Sequence, residues 1–162
     1  RAGGVVFWVD PSDNRHGLIA AIEDQSSSIQ WILGGNTQTT ENGSTSASIG
    51  QGQTNTTAMM SQVGYTGGAA KVCDEYTITV NGIIYSDWFL PSKDELNQMY
   101  TNKAAINTTA AANSGSNFAN GYYWSSTESV SNIAWLQDFF YDGSQFNVSK
   151  STASAVRAVR AF

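Results

Sequence analysis

Short runs of β-branched and aromatic residues at both ends of the chain constrain its fold more than any other feature. The run Gly3–Asp10 is separated from His16–Ile22 by residues with turn-forming side chains, which is typical of a β-hairpin. The last third of the chain predicts four further strands, Gly121–Ser126, Ala134–Tyr141, Gln145–Ser149 and Ala155–Phe162. The Asp-Gly pair at positions 142 and 143 predicts a tight hairpin between the second and third of these.

Helices are predicted in the middle of the chain. Ser92 and Glu95 form a capping box, in which each side chain satisfies a free amide of the first helical turn. The helix that follows carries Leu96, Met99 and Tyr100 on one face. Shorter helices are predicted over Thr56–Val63, capped by Thr54 or Asn55, and over Ala69–Tyr76, with a short strand at Asp87–Pro91 and loops at Asn36–Thr57 and Ala104–Asn120. Together these segments predict one α+β domain covering residues 1–162.

Composition excludes several classes of partner. Charged residues make up 13% of the 162 residues and the net charge is −5, so no basic face is available for nucleic acid or an anionic membrane. The longest apolar runs are far shorter than a membrane-spanning helix, so membrane insertion is not expected. The many uncharged polar residues favour an extracellular, cell-surface or virion location. With Cys73 as the only cysteine, no internal disulfide or cysteine-based metal site can form.

The sequence offers no constellation for catalysis. His16 is the only histidine, and no Gly-x-Ser-x-Gly motif occurs. Asp10, Asp13 and Asn14 could coordinate calcium, but a plain hairpin turn explains these residues better and no calcium motif supports the ion. We therefore expect a protein that is not an enzyme and needs no cofactor.

The C-terminal half resembles a known family. The resemblance rests on Asp87–Leu96, on Tyr123–Glu128, on Ala134-Trp135 and on Val156–Phe162. Gly3–Val9 and His16–Leu18 are similar to the start of the same domain, so the resemblance covers nearly the whole chain. These segments are similar to the C-terminal domain of Legionella collagen-like adhesins. The resemblance implies a C-type-lectin-like fold with two helices, mixed and antiparallel sheets, and paired first and last strands.

The same resemblance implies a non-enzymatic ligand- or receptor-binding role on a virion or cell surface. The partner would be a protein or carbohydrate on another cell or particle. A different function also stays open, that of a structural module which trimerises beside the stalk of a fibre or adhesin. Oligomers are compatible with both interpretations.

Several variable proteins of diversity-generating retroelements share the implied fold, and their diversified segment is C-terminal. Residues 121–162 are therefore the candidate variable and binding segment. Mutation of template adenines turns Asn codons into codons for many other residues. Where family members often carry Asn, this chain has only types reachable in that way: Val130, Ser131, Ile133, Leu136, Asp138, Tyr141, Asp142, Phe146, Val148, Ser149 and Ser151. This pattern is consistent with diversification without requiring it.

Alternation along the strand at 134–142 predicts which side chains contact a ligand. One face carries Trp135, Gln137, Phe139 and Tyr141, and the other carries Leu136, Asp138, Phe140 and Asp142. If the first face is core, the second is exposed; alternatively, both faces are buried between layers. The predicted ligand-binding residues are Ser129, Val130, Ser131, Asn132, Ile133, Leu136, Asp138, Phe140, Tyr141, Asp142, Phe146, Val148, Ser149, Ser151 and Thr152. The predicted framework is Trp124, Glu128, Trp135, Gln137, Arg157 and Arg160, with the arginines paired to internal acids such as Asp87 or Glu128.

Overall fold

The computed structural model describes residues 2–162, with strands at both ends of the chain around a helical middle. Within that range the four helices are α1 (Gly52–Met60), α2 (Ala69–Asp74), α3 (Lys93–Thr101) and α4 (Lys103–Ala112), and one turn of 3₁₀ helix covers Thr37–Thr39. The strands are β1 (Gly4–Val9), β2 (Gly17–Ala21), β3 (Ser26–Gln30), β4 (Ile32–Leu33), β5 (Gly67–Gly68), β6 (Ile78–Val80), β7 (Ile83–Tyr85), β8 (Tyr122–Val130), β9 (Ile133–Asp138), β10 (Gln145–Ser149), β11 (Ala153–Val156) and β12 (Val159–Ala161). The α+β class is confirmed, with four helices rather than the two that the resemblance implies. The finer assignment to a C-type-lectin-like fold stays a prediction.

The first sheet joins the two ends of the chain. β1 and β2 form the predicted antiparallel hairpin, and β12 pairs with the other side of β2. The resemblance implied that the first and last strands pair with each other. Instead, β1 and β12 lie on either side of β2. The predicted strand Asp87–Pro91 contributes one isolated bridge, between Phe89 and Val159, and the next amide, that of Leu90, donates to Thr56 Oγ1 at 3.0 Å.

The second sheet has five strands in the order β10-β9-β8-β11-β3, antiparallel except for the β8–β11 pair. The predicted hairpin before β10 is confirmed, and Gly143 adopts the positive φ of 77° that its turn requires. The single strand predicted at Ala155–Phe162 is wrong. The chain forms β11 in this sheet and then crosses through Arg157 and Ala158 to form β12 in the first sheet.

The helices follow their sequence signals in part. α3 has the predicted capping box: Ser92 Oγ accepts from the Glu95 amide at 3.3 Å, and Glu95 Oε2 accepts from the Ser92 amide at 2.8 Å. α2 lies within the predicted Ala69–Tyr76 segment. α1 begins earlier than predicted, with Gln51 rather than Thr54 or Asn55 at its N-cap.

The predicted loop Ala104–Asn120 is wrong over its first half, where α4 forms. Five of the ten residues in α4 are alanine, the best helix former, and Ile106 and Ala110 lie one turn apart on its buried face. Ile106 packs with β1 and α3 side chains in one of two hydrophobic clusters. Burial of this face stabilises a helix that has no side-chain cap.

The five-stranded sheet contributes side chains to both hydrophobic clusters. One cluster contains the fully buried rings of Trp31 and Trp124 together with Leu136. The other contains Tyr123 and Phe139, packed with residues of α3 such as Leu96. Because consecutive residues of β8 enter different clusters, both faces of this sheet are covered near its centre.

Candidate functional site

Strands β8, β9 and β10, with the turns that follow them, carry the predicted binding residues. Their register places Trp124, Leu136 and Phe146 side by side on one face, and Tyr123, Gln137 and Gln145 side by side on the other. The second face lies against α3, where the Gln137 amide nitrogen donates to Asn97 Oδ1 at 2.8 Å. The face of the sheet that carries Gln137 is therefore covered by α3.

The predicted residues divide between the two ends of this sheet. One group surrounds the β8–β9 turn and the end of β10: Ser129–Ile133, Val148, Ser149, Ser151 and Thr152. The other group lies at the opposite end: Asp138, Phe140, Tyr141, Asp142 and Phe146. A six-residue strand spans about 20 Å, so one small ligand cannot contact both groups.

Leu136 and Asp138 are wrong as ligand contacts, since their exposed fractions are only 2% and 6%. Leu136 packs in the hydrophobic cluster beside Trp124 and Ala134. Asp138 Oδ1 accepts hydrogen bonds from the amides of Phe140 at 2.6 Å and Tyr141 at 3.0 Å. The alternative in which both faces of β9 are buried therefore holds along the centre of the strand.

Four exposed aromatic side chains remain at the second end of the sheet, and we call them the aromatic rim: Tyr122, Phe140, Tyr141 and Phe146. Their exposed fractions are 43%, 46%, 73% and 36%. Three of them were predicted, and Tyr122 was missed. A sequence signal for Tyr122 existed, because Tyr122, Tyr123 and Trp124 are consecutive and a strand cannot direct three consecutive rings to one core face.

The rim is organised by contacts between its own rings and by β9. The Tyr122 and Phe146 rings meet across β9 with centroids 5.4 Å apart, and the Phe140 and Tyr141 rings lie 4.2 Å apart. Asp138 is directly opposite Tyr122 in the β8–β9 register, and its carboxylate binds the amides that follow β9. Edge-to-face ring contacts of this kind are favourable and fix ring orientation.

Asp142 adds a carboxylate to the rim. Its Oδ1 accepts a hydrogen bond from the Ser144 amide at 2.9 Å, and the side chain is exposed. Hydrogen bonds from Ser144 hold the pKa of Asp142 below its ordinary value, so this carboxylate is ionised at neutral pH. The predicted contact Asp142 is thus placed beside the exposed rings.

The other end of the sheet is built around a buried ion pair. Lys150 and Glu128 bind each other with no exposed side-chain area. Lys150 Nζ also donates to the carbonyls of Ser131 at 2.7 Å and Thr40 at 3.0 Å. Around this pair, the predicted residues Val130, Asn132, Ser149, Ser151 and Thr152 are exposed, and Ser129, Ser131, Ile133 and Val148 are half-buried.

Both arginines pair with acids of the chain, as predicted. Arg160 binds Asp87, one of the two acids named as examples, through two hydrogen bonds of 2.7 and 2.6 Å. Arg157 is fully buried and donates to Asp24 at 2.6 Å, an acid that the sequence analysis did not name. Both arginines therefore act within the fold.

In the turn between β1 and β2, the carboxylates of Asp10 and Asp13 accept hydrogen bonds from backbone amides of the turn itself. Asp10 Oδ1 accepts from the Ser12 amide at 2.8 Å, Asp13 Oδ1 accepts from the Arg15 amide at 2.9 Å, and Asp13 also contacts the His16 ring. Among residues 2–162, no group of three or more His, Cys, Asp or Glu side chains is arranged to hold a metal ion.

The buried Cys73 thiol has a pKa raised by burial, which disfavours the nucleophilic thiolate.

An open cavity of about 590 Å³ lies beside the C-terminal end of α1. Its walls include the polar residues Asn36, Thr40, Glu41, Asn42 and Gln62. These side chains supply hydrogen-bonding groups.

Among the residues that the structure describes, no helix has the length and apolar character needed to cross a membrane.

Comparison with models of protein families gives a match over most of the chain. The family model of the Lcl C-terminal domain, the C-terminal domain of the Legionella collagen-like protein, matches residues 20–160. No curated protein matches the chain. The match includes all of β8, β9 and β10, and therefore both ends of the candidate site. The chain belongs to the family of Lcl C-terminal domains.

Proposed function

We propose that this domain is a non-enzymatic ligand- or receptor-binding module whose contact surface is the aromatic rim. The observation that carries the proposal is the clustering of four exposed aromatic side chains at one end of a sheet whose centre is covered on both faces. Exposed apolar clusters on soluble domains mark interaction sites, and Tyr in particular supplies much of the binding energy at interfaces. Family membership supports a surface-associated role, such as display on a cell or particle.

The scaffold of the rim suits binding because little has to become ordered. Asp138 holds the backbone of Phe140 and Tyr141, and the ring pairs restrict side-chain motion before any ligand arrives. A preorganised surface loses less conformational entropy on association, so more of the contact energy appears as affinity. The partner class is a protein or carbohydrate on another cell or particle.

The test is a printed array of glycans and synthetic peptides, probed with labelled wild-type domain and two double variants. The rim variant is Tyr141→Ala/Phe146→Ala, and the control is Ile83→Ala/Ile84→Ala, which removes exposed apolar side chains elsewhere. We expect the spots bound by wild type to be lost with the rim variant and kept with the control, at equal melting temperature. Retention of every spot by the rim variant, or no bound spot at all, contradicts the proposal.

Diversification of residues 121–162 by a retroelement is a separate part of the proposal. The supporting observation is that several replaceable positions, among them Tyr141 and Ser149, are exposed. Sequencing of the neighbouring DNA tests it directly. A near-copy of the coding segment that differs at adenines, beside a reverse transcriptase gene, is expected; its absence from the locus counts against diversification.

A structural or assembly role is the second candidate, and one observation favours it. In the β6–β7 hairpin the consecutive side chains of Ile83 and Ile84 have exposed fractions of 56% and 67%. Because consecutive side chains of a strand point to opposite faces, both faces of this short strand present an apolar side chain to solvent. Light scattering of the isolated domain tests this function. A concentration-dependent oligomer that Ile83→Ala/Ile84→Ala dissociates supports it, and a strict monomer contradicts it.

A further inference from the structure

We propose that the free edge of β10 pairs with the same edge of a second copy of this chain, which joins two five-stranded sheets into one. β10 is the end strand in the order β10-β9-β8-β11-β3, and among residues 2–162 its only strand neighbour is β9. This surface is distinct from the exposed side chains of the β6–β7 hairpin. The inference goes beyond the proposed function, because it determines how many aromatic rims one assembly presents.

Hydrogen bonds at the two ends of β10 show which of its backbone groups point away from β9. The Asp138 amide donates to the Ser144 carbonyl at 3.0 Å, and the Lys150 amide donates to the Asn132 carbonyl at 3.0 Å. In an antiparallel pair, positions bonded in this way alternate with positions whose amide and carbonyl groups point outward. The outward positions of β10 are its odd-numbered residues: Gln145, Asn147 and Ser149.

These outward backbone groups have almost no partners inside the domain. Within residues 2–162, the amides of all three residues and the carbonyls of Gln145 and Asn147 form no hydrogen bond. The Ser149 carbonyl accepts from the Thr152 amide at 2.9 Å, and a carbonyl oxygen can accept a second bond. An extended chain alongside β10 would therefore satisfy every one of these groups.

The sequence of β10 does not protect this edge. Natural sheets blunt exposed edges with charged side chains, proline, a bulge or a covering segment. Phe89 covers the edge of β12 in this way, through two hydrogen bonds with Val159 of 2.8 and 2.9 Å. β10 contains no charged residue and no proline, and its register with β9 is regular. The side chains of Phe146, Asn147 and Ser149 are exposed, so the edge is open to another strand.

The occupant that fits is β10 itself, because the strand is self-complementary in one antiparallel register. With Asn147 opposite Asn147 of the second copy, Gln145 of each copy meets Ser149 of the other, and all outward positions are paired. A shift by two residues in either direction leaves one outward position of each copy unpaired. The pairing has twofold symmetry and uses each edge once, so assembly stops at two copies.

The side chains fit the same register. Phe146 lies opposite Val148 of the second copy, at a position that exchanges no hydrogen bonds and where side chains approach closely. No charged residue of β10 is brought opposite another, although each chain carries a net charge of −5. The two Phe146 side chains become diagonal neighbours on one face, so the two aromatic rims adjoin and the pair presents both of them together.

Sedimentation velocity of the full chain tests the pairing. A contact between two five-residue strands is small, so we expect a monomer–dimer equilibrium with a dissociation constant on the order of 0.1 mM. At about 1 mM protein about four-fifths of the chains are then paired, and the outward amides of β10 should exchange hydrogen about fivefold more slowly than in dilute protein. A strict monomer at about 1 mM, or unchanged exchange of the Asn147 amide, overturns the inference.

Two charge variants of Asn147 identify the twofold axis. Asn147→Lys and Asn147→Asp each place like charges opposite each other, so each alone should dimerise at least about tenfold more weakly, whereas their equimolar mixture should form the mixed dimer. Asn147 is exposed and its side chain forms one hydrogen bond, to Ser129 at 3.0 Å, so both variants should fold.

The matched control is Ile83→Ala/Ile84→Ala, which alters a different exposed surface and should leave the dimer unchanged. Dimers of either charge variant alone that are as stable as those of wild type contradict the pairing of Asn147 with itself. Absence of a mixed dimer, or loss of the wild-type dimer in the control, overturns the inference as well. None of these outcomes depends on whether the aromatic rim binds a ligand.

Discussion

Replacing Lys150 by methionine should destabilise the fold by about 3–5 kcal/mol, because removal of one partner leaves a buried charge without compensation. Both side chains of the Lys150–Glu128 pair have no exposed area. The ammonium group also donates to the carbonyls of Thr40 and Ser131, so three segments of the chain lose a shared donor. Methionine keeps the length and apolar stem of lysine, which limits the change to the charge and its hydrogen bonds.

Equilibrium denaturation in urea measures this free energy of unfolding. For a domain of this size, each kcal/mol lowers the melting temperature by about 2–4 °C, so we expect a decrease of about 6–20 °C. The control is Lys71→Met, whose pair with Glu75 is exposed and should cost under about 1 kcal/mol. A loss for Lys150→Met as small as that of the control would refute the reasoning.

A double variant separates charge burial from loss of packing. In Glu128→Gln/Lys150→Met the buried charge is gone, and the glutamine oxygen still accepts from the amides of Asn42 and Gly43, which Glu128 binds at 3.1 and 3.3 Å. We expect this double variant to be more stable than Lys150→Met alone. If the second substitution lowers stability further, the uncompensated charge is not the cause.

Three further predictions follow from the geometry. Leu136→Ala should lower the free energy of unfolding by about 2–5 kcal/mol, whereas Tyr141→Ala should change it by under about 0.5 kcal/mol, as urea denaturation will show; equal losses would contradict the assignment of Leu136 to the core and Tyr141 to the rim. Ser92→Ala should cost about 1 kcal/mol through loss of the cap of α3, and an unchanged midpoint would argue against the capping box. Burial raises the pKa of Glu95 above its ordinary 4.5, so the stability that this group contributes is present below that pH and is lost as pH rises through the higher folded pKa. Glu95→Gln should remove this pH dependence of the denaturation midpoint, and an identical pH profile would refute it.

Local chemistry explains what could be predicted of the fold. The β1–β2 hairpin, the Asp-Gly turn before β10 and the Ser92–Glu95 capping box each depend on a few neighbouring residues whose side chains satisfy backbone groups. α4 was missed because its small and polar residues lack a strong apolar pattern, and only tertiary burial of Ile106 and Ala110 reveals its inner face.

From the sequence alone the α+β class, the strands β8, β9 and β10 and three of the four aromatic rim residues could be predicted, whereas the division of the last segment into β11 and β12 could not. Alternation along β9 divided its residues between two faces, but it could not show which face is covered, because both carry large apolar groups. The packing of the folded chain shows that α3 covers one face, while Trp124 and its cluster bury Leu136 on the other. The aromatic rim likewise exists only because the β8, β9 and β10 register brings Tyr122 to Phe146, two residues distant in the chain that meet at one end of the sheet.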